Sequence, residues 1–123
     1  MSFRLTKEQI DRFNDDGYLI VDNLLDEKTI TQLHTRFDRL FRGDFETGIR
    51  PDEVNWQEGD SDPELTRQIC NAWKSDRCVA ATVLREDLGQ ALAQLGDWPG
   101  TRIVQDNVLS KPPAARALGY HQD

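Results

Sequence analysis

Residues 101–123 read TRIVQDNVLSKPPAARALGYHQD, and the way this stretch is parsed decides what the chain is. Thr101 to Leu109 is rich in β-branched residues and predicts a strand. Period-two alternation sets Ile103, Gln105, Asn107 and Leu109 on one side and Val104, Asp106 and Val108 on the other. Amides among the apolar positions leave two readings of that first side: a solvated polar face, or a sheet interior that holds a polar small molecule. Lys111-Pro112-Pro113 ends the strand, because proline has no N–H to give a ladder. A loop then leads to Gly119-Tyr120-His121-Gln122-Asp123. On extended backbone, residues i and i+2 project to the same side, so His121 and Asp123 are placed to offer an imidazole nitrogen and a carboxylate oxygen to one metal ion. A 2-His-1-carboxylate triad grips iron(II) by one face and leaves open positions. With 15 Asp in the chain, a His followed two residues later by Asp arises by chance roughly one time in four, so the motif acquires meaning only from its surroundings.

Upstream the chain reads as helical. Thr6 with Gln9 forms a capping box, Ile10 and Phe13 share a face, and Gly17 stops the helix. Tyr18-Leu19-Ile20-Val21 is too short for a helix and predicts a buried strand. Asp26 caps a second helix with Ile30, Leu33, Phe37, Leu40 and Phe41 as its apolar stripe, ended by Gly43. His34 borders that stripe and reads as a half-exposed packing residue rather than a ligand. Asp44 to Glu64 is an acidic loop whose spacing does not fit an EF-hand. Asp62-Pro63 predicts a cap and first turn of a helix carrying Leu65, Ile69 and Trp73 inward. Ser75 is read as the next cap, ahead of Val79 and Val83, and Asp87 as the start of a helix with Leu88, Leu92 and Leu95.

Bulk properties exclude some classes. The 123 residues have the length of one domain and carry a net charge of −7 without a basic block, which argues against nucleic acid as a partner. No run approaches the roughly 18 apolar residues of a membrane span, and the N-terminus lacks a signal-peptide pattern, so a cytoplasmic location is expected. Cys70 and Cys78 have no partner at metal-ligand spacing and read as reduced core thiols.

The opening LTKEQIDRFNDDGYLIVDNLLDEKTITQL resembles the helix, "F..DGYL.V...L" strand and helix of phytanoyl-CoA-dioxygenase-like proteins. Val108 to Pro113, followed by Gly119 to Asp123, is similar to that family's strand, "K-P-P" loop and "H-Q-D" sequence. The resemblance implies an α+β chain, 1–123, in which N-terminal helices precede the first strands of a double-stranded β-helix, or jelly roll, left incomplete within these residues. It also implies iron(II), 2-oxoglutarate as cosubstrate and a small organic substrate that is hydroxylated. His121 and Asp123 would be metal ligands, and Gln105, Asn107, Lys111 and Gln122 candidates for binding the cosubstrate. The family's distal histidine and its cosubstrate-pairing arginine lie beyond H-Q-D. These residues are therefore expected to be the front part of an oxygenase, inactive alone, needing a C-terminal half or a partner chain to complete the sheet. The alternative is a non-catalytic binding module of the same fold. A calcium-binding role for the acidic loop is a third reading.

Overall fold

The computed structural model describes residues 3–117 and 119–121. Helix α1, Lys7–Asp16, begins on the predicted capping box: Thr6 accepts from the Gln9 amide while the Gln9 side chain accepts from the Thr6 N–H. It ends at Gly17, whose φ of 78° is open to glycine at no steric cost. Helix α2, Glu27–Phe41, is capped by Asp26, which accepts from Thr29 N at 2.7 Å. Helix α3, Arg77–Val83, and helix α4, Glu86–Gly96, follow a single 3₁₀ turn at Ala72–Lys74. Three short strands, β1 (Glu53–Val54), β2 (Arg67–Cys70) and β3 (Asn107–Ser110), form an antiparallel sheet in the order β1-β2-β3. The class is α+β, as expected; the described strands are too few to define a jelly roll.

The core lies where α2 and α3 meet the inner face of the sheet. Leu33, Leu40 and Phe41 of α2, Val79 of α3, Ala72, Trp56, Ile69 of β2 and Val108 of β3 bury one another. Ile69 and Val108 face each other across the ladder, and Ile69 is wholly enclosed. Trp56 meets Phe41 edge-on, with ring centroids 6.0 Å apart. Its Nε1 donates to the Asp62 carbonyl at 2.8 Å, so the buried indole keeps its polar bond.

Three expectations need correction. Residues 62–74 do not form one helix. Asp62 starts a turn instead, its carboxylate accepting from Glu64 N at 2.9 Å and its carbonyl from Leu65 N at 3.2 Å. Ile69 then lies on the central strand. Leu65, Ile69 and Trp73 have helical spacing, but pairing on both sides of 67–70 outweighs that pattern, and a short buried strand cannot be told from a helical segment by periodicity alone. Tyr18–Val21 is not a buried strand either: Tyr18 and Ile20 are 62% and 74% exposed, and no described strand pairs with the run. The predicted strand at 101–109 shrinks to 107–110, because β2 offers only four residues to pair with, and Val104 is left 93% exposed.

Smaller shifts follow the same logic. The cap of α3 is Asp76 rather than Ser75, its Oδ1 accepting from Cys78 N at 2.9 Å and Val79 N at 3.0 Å. Asp76 is fully buried and its other oxygen accepts from Arg36 Nε, which ties α2 to the start of α3. Helix α4 starts at Glu86, one residue before Asp87. The Asp87 carboxylate accepts from Arg85, from Leu88 N and from Phe3 N, pinning the N-terminal segment to α4. These bonds, with Arg85 foremost, hold its pKa well below the usual carboxylate range. The cysteines are both free, with Cys70 buried and Cys78 half-buried, and burial raises both thiol pKa values.

Candidate metal centre and the adjoining sheet face

Alternation along β3 persists as read from the sequence, even though the ladder is short. Asp106 and Val108 turn inward, whereas Gln105, Asn107 and Leu109 turn outward, and Lys111 continues exposed beyond the strand. Asp106 is 8% exposed. Its Oδ1 accepts from Trp73 N at 3.1 Å, while its Oδ2 is buried without a described hydrogen-bond partner, and burial raises its pKa. Asn71, in the left-handed conformation at φ 58°, clamps the strand's start: its N–H donates to the Asp106 carbonyl at 2.8 Å and its Oδ1 accepts from Asp106 N at 3.3 Å. Its side-chain NH₂ donates to Asp52, which also receives Lys74 at 2.7 Å.

On the outer face, Cys70 stands opposite Asn107 and Gln68 opposite Leu109. Gln68 Nε2 donates to Asn107 Oδ1 at 3.0 Å, and Gln68 N donates to Asn55 Oδ1 at 2.6 Å. The structure thus joins one predicted candidate, Asn107, to a residue the sequence reading passed over. Gln68 was hidden because 62–74 was read as helix; the signal available was β-branched Thr66 and Ile69 beside Cys70, a strand-like composition. Gln105 and Lys111 are exposed on either side of β3.

His121 is exposed, with Nδ1 3.1 Å from the Gly119 carbonyl. A carbonyl can only accept, so Nδ1 is the donor in this contact, and a ligating histidine commonly holds its second ring nitrogen by such a bond to a backbone oxygen. His121 therefore fits iron(II), as does a carboxylate two residues on. Gln122 and Asp123 lie outside the described residues. Among the described residues no three His, Cys, Asp or Glu side chains converge to hold a metal. His34 is exposed on α2, and four acids of the 44–64 loop form ion pairs: Asp44 with Arg39, Glu46 with Arg36 and Arg77, Asp52 with Lys74, and Glu58 with Arg42.

A groove of about 910 Å³ runs between the 22–26 segment, α2 and α3, and none of the predicted site residues lines it. A smaller groove of about 520 Å³, with Asn55, Thr66 and Arg116 in its walls, flanks the loop that leads to His121. No described helix is long and apolar enough to cross a membrane.

The sequence model of the phytanoyl-CoA dioxygenase (PhyH) family matches residues 13–123, nearly the whole chain. The protein belongs to that family, a family of dioxygenase-type oxidoreductases. No curated protein and no solved structure matches it.

Proposed function

We propose that this domain works as an Fe(II)- and 2-oxoglutarate-dependent oxygenase that hydroxylates a small organic substrate, with His121 and Asp123 as two of the metal's protein ligands. The observation that carries the reading is the extent of the family match, which takes in the strand, the Lys111-Pro112-Pro113 loop and the His121-Gln122-Asp123 motif together. Iron bound there would couple oxidative decarboxylation of 2-oxoglutarate to succinate and CO₂ with hydroxylation of a C–H bond, one oxygen atom of O₂ going to succinate and the other to the new hydroxyl.

The chain's own residues have narrower tasks. His121 would supply a ring nitrogen to the metal, its Nδ1 held by the Gly119 carbonyl. Asp123 contributes a negative charge and an oxygen donor. Lys111, exposed beside the strand, supplies an ammonium that can form a charge-assisted hydrogen bond to a cosubstrate carboxylate. Gln105, Asn107 and Gln122 add amide donors. On this reading the outer face of β3 is the interior of a completed jelly roll. Further strands then cover it, from the same polypeptide or from a partner chain.

The test is succinate formation from 2-oxoglutarate and Fe(II) by the protein as its source produces it. His121→Ala and Asp123→Ala are each expected to abolish turnover, and retained turnover in either variant would overturn the assignment. Residues 1–123 alone are expected to be silent, since their two histidines include only one in the motif. A second reading, a non-catalytic binding module, is favoured by the closed core around Leu40 and Ile69. Cooperative unfolding of a monomer that binds neither iron nor 2-oxoglutarate would select it.

A further inference from the structure

We propose that Gln68 is a positioning residue for the cosubstrate: it holds the Asn107 side chain with its NH₂ turned outward, toward a carboxylate oxygen of 2-oxoglutarate. The inference rests on the proposed role of Asn107 as a cosubstrate contact.

A primary amide has one oxygen that only accepts and one nitrogen that only donates. Gln68 Nε2 donates to Asn107 Oδ1 at 3.0 Å, so the Asn107 oxygen is engaged and its two N–H groups are the part left to present. A carboxylate is an acceptor only, and it gains from one of the two amide orientations while being repelled by the other. Left to itself, an exposed Asn would sample both. The partner that biases it is well placed to do so, because Gln68 sits on the central strand between β1 and β3. Its main-chain carbonyl accepts from Asn55 N at 3.1 Å, and its N–H is bonded to the Asn55 side chain. Asn107 is equally constrained, with Val108 next to it sealed against Ile69 and Asp106 before it clamped by Asn71. Both amides therefore stand on rigid backbone, the condition under which an oriented donor binds without first being ordered.

The experiment is a calorimetric titration of 2-oxoglutarate into the full protein, loaded with Fe(II) without oxygen, alongside steady-state kinetics. Gln68→Met keeps the side chain's length and removes the bond; it is expected to weaken 2-oxoglutarate binding about threefold to tenfold and raise its KM equally, with kcat unchanged. Gln68→Glu, which can only accept, should pull the Asn107 NH₂ inward and weaken binding further than Gln68→Met does. In an Asn107→Ala background, Gln68→Met should add nothing, since a positioning residue acts through the residue it positions. Asn107→Asp keeps the bond from Gln68 but has no N–H to offer, so it is expected to lose more than tenfold in affinity with an unchanged Tm. Wild-type affinity in Gln68→Met or Asn107→Asp would overturn the proposal, as would a further loss in the Asn107→Ala background. Absence of 2-oxoglutarate binding by the wild-type protein is a different failure, which would remove the oxygenase reading itself and this inference with it. In the metal-free protein, side-chain amide exchange at Asn107 should be faster in Gln68→Met, and equal exchange would count against the bond.

Discussion

Arg67 sets its guanidinium over the indole of Trp56, 3.8 Å from the ring centroid, so the first residue of the central strand closes the outer wall of the core. Trp56 is almost fully buried and touches α2 through Phe41. Its removal leaves a large void and takes from the Asp62 carbonyl one of its two donors. Trp56→Ala is expected to cost about 3–5 kcal/mol, and Arg67→Met about 1 kcal/mol. Urea unfolding followed by circular dichroism reads both, and a Trp56→Ala cost below that of Arg67→Met would refute this account of the wall.

Arg36 and Asp76 make the principal polar bridge between α2 and α3. Asp76 is enclosed, so a variant that leaves one charge alone is penalised heavily. Arg36→Met is expected to destabilise by about 3–5 kcal/mol. Adding Asp76→Asn, which keeps the cap on Cys78 and Val79, should restore part of that loss. The double variant's denaturation midpoint decides the matter: if it lies below that of Arg36→Met, the pair is not the source of the penalty.

Two carboxylates should shape the pH dependence in opposite directions. Asp87, bonded by Arg85 and the Phe3 N–H, has a depressed pKa in the folded state. Its contribution is present above the unfolded value near 3.9 and is lost as pH falls through the folded one. Asp106, raised by burial, does the reverse: its own contribution is fully present below about pH 3.9 and is lost as pH climbs through its folded value. Asp87→Asn should therefore lower the denaturation midpoint at neutral pH with a deficit that narrows in acid. Asp106→Asn retains the acceptor for Trp73 N and should raise the midpoint at neutral pH, converging on wild type at about pH 3. A deficit in Asp106→Asn that is the same at both pH values would contradict this assignment.

Metal binding gives a further check. Fe(II) under nitrogen is expected to raise the Tm of the full protein, and a chelator should reverse the rise. His121→Ala should abolish the shift, whereas His34→Ala should leave it intact because His34 stands on α2, outside the His121-Gln122-Asp123 motif. An equal loss in both variants would mean that the metal binds nonspecifically.

The first two helices and their caps are legible from the residues, because capping boxes and i, i+4 patterns are local, whereas Ser75, Asp62 and Asp87 do not cap where the sequence places them. Thr6, Gln9, Gly17 and Asp26 act as read. What could not be read was pairing. Nothing within residues 62–74 says that 67–70 will be flanked by 53–54 and 107–110; that depends on segments far apart in sequence. Ile69, placed on a helix by its spacing, is the centre of the core on a strand. The parity of 105–109 survived, since alternation belongs to extended backbone whether or not a ladder forms. The H-Q-D motif was legible as chemistry, yet only its histidine falls among the described residues. Gln68 could be found only once its strand was known.

The run from Tyr18 to Val21, in which Tyr18 and Ile20 are exposed, has a consequence for handling the protein. It combines aromatic and β-branched side chains with main-chain groups that no described strand satisfies, the makings of an adhesive edge. Wherever that run stays bare, it can recruit the same run from another molecule, and solutions of residues 1–123 should scatter light increasingly with concentration. A lysine in place of Ile20 would act as a gatekeeper and keep the solution clear without touching the core.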